Sequence, residues 1–190
     1  MDHPMTSIIN ASSEIAAADA MGASVRLLKV KHVESSDPTT ELRELPGLET
    51  HWSRASNVTV SNFSAFCFLT GAGLQKVRKY PIGLIDSSWA GVAITPLSSR
   101  ASCARCGVDG TRGCNSRGAS EPTNATSVYN TMIAPLHTTT IFGLLWWQGE
   151  ASGICPESMI NKTAATCESH TCLLSTHVSY GLFSSRPCHP

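Results

Sequence analysis

The stretch YPIGLIDSSWAG, Tyr80 to Gly91, decides how this chain folds. Its apolar part, Pro81 to Ile85, is short and bounded by turn-forming residues, which reads as a buried strand of the kind found in parallel sheets. The strand runs into Asp86-Ser87-Ser88, so a carboxylate and two hydroxyls stand at its carboxyl end. In open α/β sheets that end is where ligands bind. A second junction of the same kind follows Ile141–Trp147 (IFGLLWW), an apolar run expected to be a buried strand, which ends in Gln148-Gly149-Glu150.

Upstream, Val25–Val30 (VRLLKV) reads as a further strand, β-branched at both ends. Helices are expected between the strands. Residues 12–21 (SSEIAAADAM) are Ala-rich, with Ser12 or Ser13 as cap and Gly22 as the stop. Residues 62–76 (NFSAFCFLTGAGLQK) place Phe63, Phe66, Cys67, Leu69 and Leu74 on more than one face, as a largely buried helix does. Residues 128–137 form a third, broken near its end by Pro135. Residues 34–61, with Trp52, read as a long polar excursion, and 98–120 as a loop-rich region. The order α, β, α, β, α, β predicts a parallel sheet covered on both faces. The expected division is a domain over 1–152 and an irregular Cys/Ser/Thr-rich tail over 153–190, whose only Asp, Glu, Lys or Arg residues are Glu157, Lys162, Glu168 and Arg186.

Composition narrows the function. The chain has 190 residues, enough for one domain with a real core. Lys plus Arg and Asp plus Glu number 14 each, so no basic surface excess points to nucleic acid. No apolar run approaches the roughly 18–20 residues of a membrane span. Met1–Asn10 has neither the basic start nor the apolar centre of a signal peptide. Eight cysteines and five Asn-x-Ser/Thr sequons, at Asn10, Asn57, Asn62, Asn124 and Asn161, nevertheless favour a secretory lineage.

Four motifs then resemble one family in order and spacing: FSAFCFLTG (63–71), YPIGLIDSSWAG (80–91), YNTMIAPL (129–136) and GLLWWQGEA (143–151) are similar to sialate O-acetylesterase. The resemblance covers about residues 1–152. It implies the SGNH hydrolase superfamily, a three-layer flavodoxin-like α/β fold, no metal or other cofactor, and an acetylated sugar such as sialic acid as substrate. A lysosomal or extracellular location is implied with it; no oligomeric state follows. Gly91 would supply a backbone N–H to the oxyanion and Gln148 its side-chain amide, with Glu150 supporting the loop. The family has two glycines where this chain has Ala90-Gly91.

The resemblance also implies parts outside this chain. Its nucleophilic serine lies in a Gly-Gln-Ser-Asn-Met segment, of which Met1 would be the last residue. Its His–acid pair comes from a segment beyond the QGE motif. His189-Pro190 matches only the His-Pro part, because Arg186 and Pro187 stand where the acid would be. The expectation is an esterase domain that is inactive as these 190 residues alone.

Asp86 is expected to cap or close a turn, and Ser87 and Ser88 to be turn residues, since no Gly-x-Ser-x-Gly elbow surrounds them. Trp146 is expected in the core, with Trp147 as a site wall at most. Cys103, Cys106 and Cys114 with Cys167, His170, Cys172 and His177 outline a possible zinc set of irregular spacing. Disulfides are the alternative, and Cys67 reads as a free buried thiol. Two rival functions remain: a non-catalytic remnant that binds acetylated glycans or a partner chain, and a small Cys/His module.

Overall fold

The computed structural model describes residues 2–38, 51–105, 122–147 and 182–184. The chain divides into two compact units, one from Met1–Lys31 and Pro46–Ala90, the other from His32–Leu45 and Gly91–Pro190.

The first unit is built on the strand read from PIGLI. Strand β1 (Val25–Lys29) and strand β3 (Ile82–Asp86) pair in parallel, from Val25 opposite Ile82 to Lys29 opposite Asp86. A parallel pair needs a long crossover, and here it holds a short strand β2 (Ser53–Arg54) and helices α2 (Asn57–Ser61) and α3 (Ala65–Arg78). The sheet order is β2-β1-β3, with β2 antiparallel to β1. The described sheet is therefore small and mixed, where a wholly parallel one was expected. Two residues of Ser and Arg carry no alternating pattern, which is why β2 was hidden in the polar excursion.

Side chains on one face of this sheet meet α3 and the first helix, α1 (Ala11–Ala18), in a core that includes Met5, Val25, Leu27, Phe63, Phe68 and Leu84. Helix and sheet approach closely at Gly71: a Cβ there would lie 2.4 Å from Leu84 Cδ2. Leu69 and Leu74 face outward, at 40% and 39% exposure, so α3 is buried on one face only. Trp52 lies over the other side of β3, 3.1 Å from where a Gly83 Cβ would stand.

Local polar groups set the helix ends. Ser64 caps α3 by accepting the Cys67 N–H at 3.2 Å. Lys79 closes it in the left-handed conformation and donates its N–H to Gln75 O at 2.8 Å. Ser56 and Thr59 form a reciprocal capping box on α2. Helix α1 departs from expectation. It starts at Ala11, and the cap position is Asn10, at φ +62° with no side-chain cap bond; its carbonyl accepts from Ser13 N and Glu14 N instead of Ser12 or Ser13 capping.

The second unit corrects three expectations. Within the loop-rich 98–120, Arg100–Arg105 forms helix α4. The helix expected over 128–137 is a wide π turn at Tyr129–Ile133 followed by a tight 3-10 turn at Ala134–Thr138. Pro135 has no N–H to give to an α ladder and crowds the residue before it, so the regular helix cannot continue. The apolar run 141–147 yields only strand β4 (Gly143–Leu145), which pairs antiparallel with strand β5 (Leu182–Ser184) from the tail. It is not the buried parallel strand expected: Phe142 is 88% and Leu144 51% exposed. A two-stranded ribbon leaves faces uncovered. Trp146 is half-buried and Trp147 exposed.

Polar side chains also tie the unit together. Asn130 Nδ2 donates to Ser35 O at 3.1 Å and Ser36 O at 3.0 Å, Thr131 Oγ1 donates to Val33 O, and Ser127 Oγ donates to Glu34 at 3.0 Å. These bonds hold residues 33–36 against the start of the π turn.

The two glycines of α3 separate packing from propensity. Gly71→Ala drives a methyl into Leu84 and is expected to cost about 1–3 kcal/mol. Gly73, with nothing within 4 Å of its Cβ position, is expected to gain about 0.4–1 kcal/mol as Ala. Urea unfolding midpoints of the two variants check both signs.

Candidate functional site

The carboxyl ends of β1 and β3 carry a buried charge. Asp86, the last residue of β3, is 3% exposed. Such a carboxylate needs donors on both oxygens, and it has them. Oδ1 accepts the Ser88 N–H at 3.2 Å and the Ser88 hydroxyl at 2.5 Å. Oδ2 accepts the Ser64 N–H at 3.1 Å and lies 3.7 Å from Lys29 Nζ. The sequence expectation for Asp86 and Ser88, a turn acid and a turn serine, is met by these bonds. A carboxylate whose oxygens are so engaged orients its neighbours; it has little acceptor capacity left for a substrate proton.

The start of the chain lies on the same edge. His3 O accepts the Ala65 N–H at 2.8 Å, and Met5 N donates to Phe63 O at 3.1 Å, so residues 3–5 run antiparallel to 63–65. Asp2 Oδ1 lies 3.4 Å from Lys29 Nζ, and Lys29 also donates to Asn62 O at 2.7 Å. Sequence reasoning passed over Lys29, Asp2 and Ser64. The available signal was a lysine and an aspartate each closing an apolar strand.

Cys67 sits beneath this hub, its thiol 3.9 Å from Ile85 O. Burial, and secondarily the Asp86 charge, push its pKa from the ordinary 9.0 up to about 12. The thiol is therefore protonated at neutral pH and is no nucleophile.

Gly91 follows β3 by five residues, belongs to the second unit and has φ +78°. That conformation suits glycine and strains any residue with a Cβ, so Gly91 is required by the backbone even with Ala90 before it. Gln148 and Glu150 lie outside the described residues, as do His189, Cys106, Cys114, Cys167, His170, Cys172 and His177. Cys67 is a free thiol, and the Cys103 thiol donates to Thr95 O at 3.8 Å. Among the described residues no three His, Cys, Asp or Glu side chains gather as a metal site, and no helix is long and apolar enough to cross a membrane.

The first unit is thus a small α/β unit with a polar hub at its strand ends. A solved carbohydrate acetylesterase from Xanthomonas citri superposes with a TM-score of 0.63 at 26% identity, covering 80% of this chain and 30% of that one. Sialate O-acetylesterase of Mus musculus is 34% identical over 183 residues, and that of Homo sapiens 32% identical over 157, each across 80% of this chain. No family model matches. The chain belongs to the sialate O-acetylesterase family. It spans about a third of the length of these curated relatives, 33% of the mouse protein and 29% of the human one.

The raised thiol pKa has two consequences. Alkylation of Cys67 at pH 8 is expected to be about a thousandfold slower in the folded chain than in urea. Because the fold holds the proton more tightly than the unfolded chain, the associated stability is intact below pH 9.0 and is lost as pH rises toward about 12. Cys67→Ala is expected to flatten that alkaline limb in unfolding titrations.

Proposed function

We propose that this chain is part of a carbohydrate esterase that removes O-acetyl groups from sialic acids or related sugars by acyl transfer through a serine. The observation that carries the reading is the 32–34% identity to sialate O-acetylesterases across 80% of the chain. The structural likeness to a carbohydrate acetylesterase supports it independently. The three-layer flavodoxin-like arrangement belongs to the same reading, supported by the parallel β1–β3 pair and its crossover through α3.

In this reading the 190 residues supply the oxyanion side. The Gly91 N–H and the Gln148 amide donate to the oxygen that gains charge as water or serine attacks the acetyl carbonyl, and Glu150 holds the loop that carries Gln148. The left-handed backbone at Gly91 supports its part, since a Cβ there would be strained. The serine nucleophile and the His–acid pair come from segments not among these residues. What supports this is the docking of His3–Met5 beside the carboxyl ends of β1 and β3, the edge where ligands bind in open α/β sheets. A serine shortly before Asp2 would enter at that edge. A lysosomal or extracellular location belongs with this proposal; the asparagines of the four described sequons, Asn10, Asn57, Asn62 and Asn124, are exposed.

The 190-residue chain is expected to show no turnover of 4-nitrophenyl acetate above background. Turnover that survives Ser87→Ala and Ser88→Ala contradicts the account of the nucleophile, and turnover abolished by either variant relocates it. A form extended by the nucleophile and His–acid segments is expected to release acetate from O-acetylated sialic acid. In that form Gln148→Ala should lower kcat about 100- to 1000-fold. An extended form that releases no acetate from any O-acetylated sugar contradicts the reading.

A further inference from the structure

We infer that Lys29 is a positioning residue: its ammonium group clasps the Asp2–Met5 segment to the carboxyl ends of β1 and β3. Three acceptors from separate parts of the chain converge on one Nζ. They are Asp2 Oδ1 at 3.4 Å, Asn62 O at 2.7 Å and Asp86 Oδ2 at 3.7 Å. An ammonium has three donors and no acceptor, so this is a set that one lysine can serve.

The backbone makes the convergence specific. Lys29 and Asp86 are register partners in the parallel ladder, so they share a face and stand side by side at its end. Asp86 in turn accepts the N–H of Ser64, at the start of α3, and the next residue's N–H goes to His3 O. Lys29 thus closes a loop of contacts that runs from β1 through β3 and the start of α3 to the first residues of the chain. Its side chain is 38% exposed, against 15% for Asp2 and 1% for Asp86. An exposed ion pair contributes little alone. The effect expected is local: Lys29 selects where the 3–5 segment lies and adds little to global stability.

The catalytic meaning of the clasp rests on the proposed function, in which the nucleophile leads into this segment. The clasp itself is tested without substrate, so the two can fail separately. Amide exchange of the 190-residue chain, read by NMR, reports the Met5 and Ala65 N–H groups that join the segment to residues 63–65. Lys29→Met is expected to speed exchange at both by about tenfold while the Leu27 and Leu84 amides hold, and Lys29→Arg is expected to restore protection. Asp2→Asn, which leaves the buried pair untouched, should loosen the same two amides to a smaller degree. Raising salt to about 0.5 M, which shortens the Debye length to about 4 Å, should loosen them in the wild type and not in Lys29→Met. Unchanged exchange at Met5 and Ala65, equal acceleration at Leu27 and Leu84, or failure of Lys29→Arg to rescue overturns the inference. Should Lys29→Met not fold, Asp2→Asn decides alone, and unchanged exchange in it overturns the inference.

Discussion

A carboxylate that is 3% exposed, at the end of a strand, constrains everything around it. Without donors, burying it would cost several kcal/mol. Asp86 is held by two backbone N–H groups, one hydroxyl and one ammonium. These donors come from three pieces of structure. Ser64 fixes the start of α3, Ser88 fixes the turn that leaves β3, and Lys29 fixes the end of β1. The carboxyl edge of the sheet is thereby set by one side chain, and the first residues of the chain are bound to the same edge.

This arrangement separates the roles of polar groups that look alike in the sequence. Asp86 and Ser88 are an acid and a hydroxyl in hydrogen-bond contact, yet their mutual engagement makes them structural. Cys67, beside them, is silenced by burial. Gly91 carries its importance in the backbone, where a left-handed φ admits glycine readily.

Much of the first unit was legible in the sequence. β1 and β3 announce themselves by apolar, β-branched runs, and α3 by its apolar and aromatic positions, though not by its Ser64 cap. Their parallel pairing followed from the alternation with helices. The Lys29–Asp86 contact was not legible, because it depends on the register of two strands far apart in sequence. Strand β4 was misjudged for a related reason. A continuous apolar run states that a strand is possible and says nothing about which partner takes it, and here the partner is a three-residue segment of the tail. The π turn at Tyr129–Ile133 was marked only by Pro135, whose effect on the preceding turn a pattern of apolar residues does not reveal. For the site, the resemblance supplied Gly91, Gln148 and Glu150, and the physical pattern supplied Asp86 and Ser88.

The Asp86 carboxylate organises this edge through its charge and its engaged acceptors. The direct measurement is the urea unfolding free energy of Asp86→Ala and Asp86→Asn against the wild type. Asp86→Ala leaves the Ser64 N–H and the Ser88 donors buried without their acceptor, and a loss of about 1–3 kcal/mol is expected. Asp86→Asn keeps the shape and one carbonyl oxygen, and a smaller loss is expected. Midpoints unchanged in both variants would contradict the account.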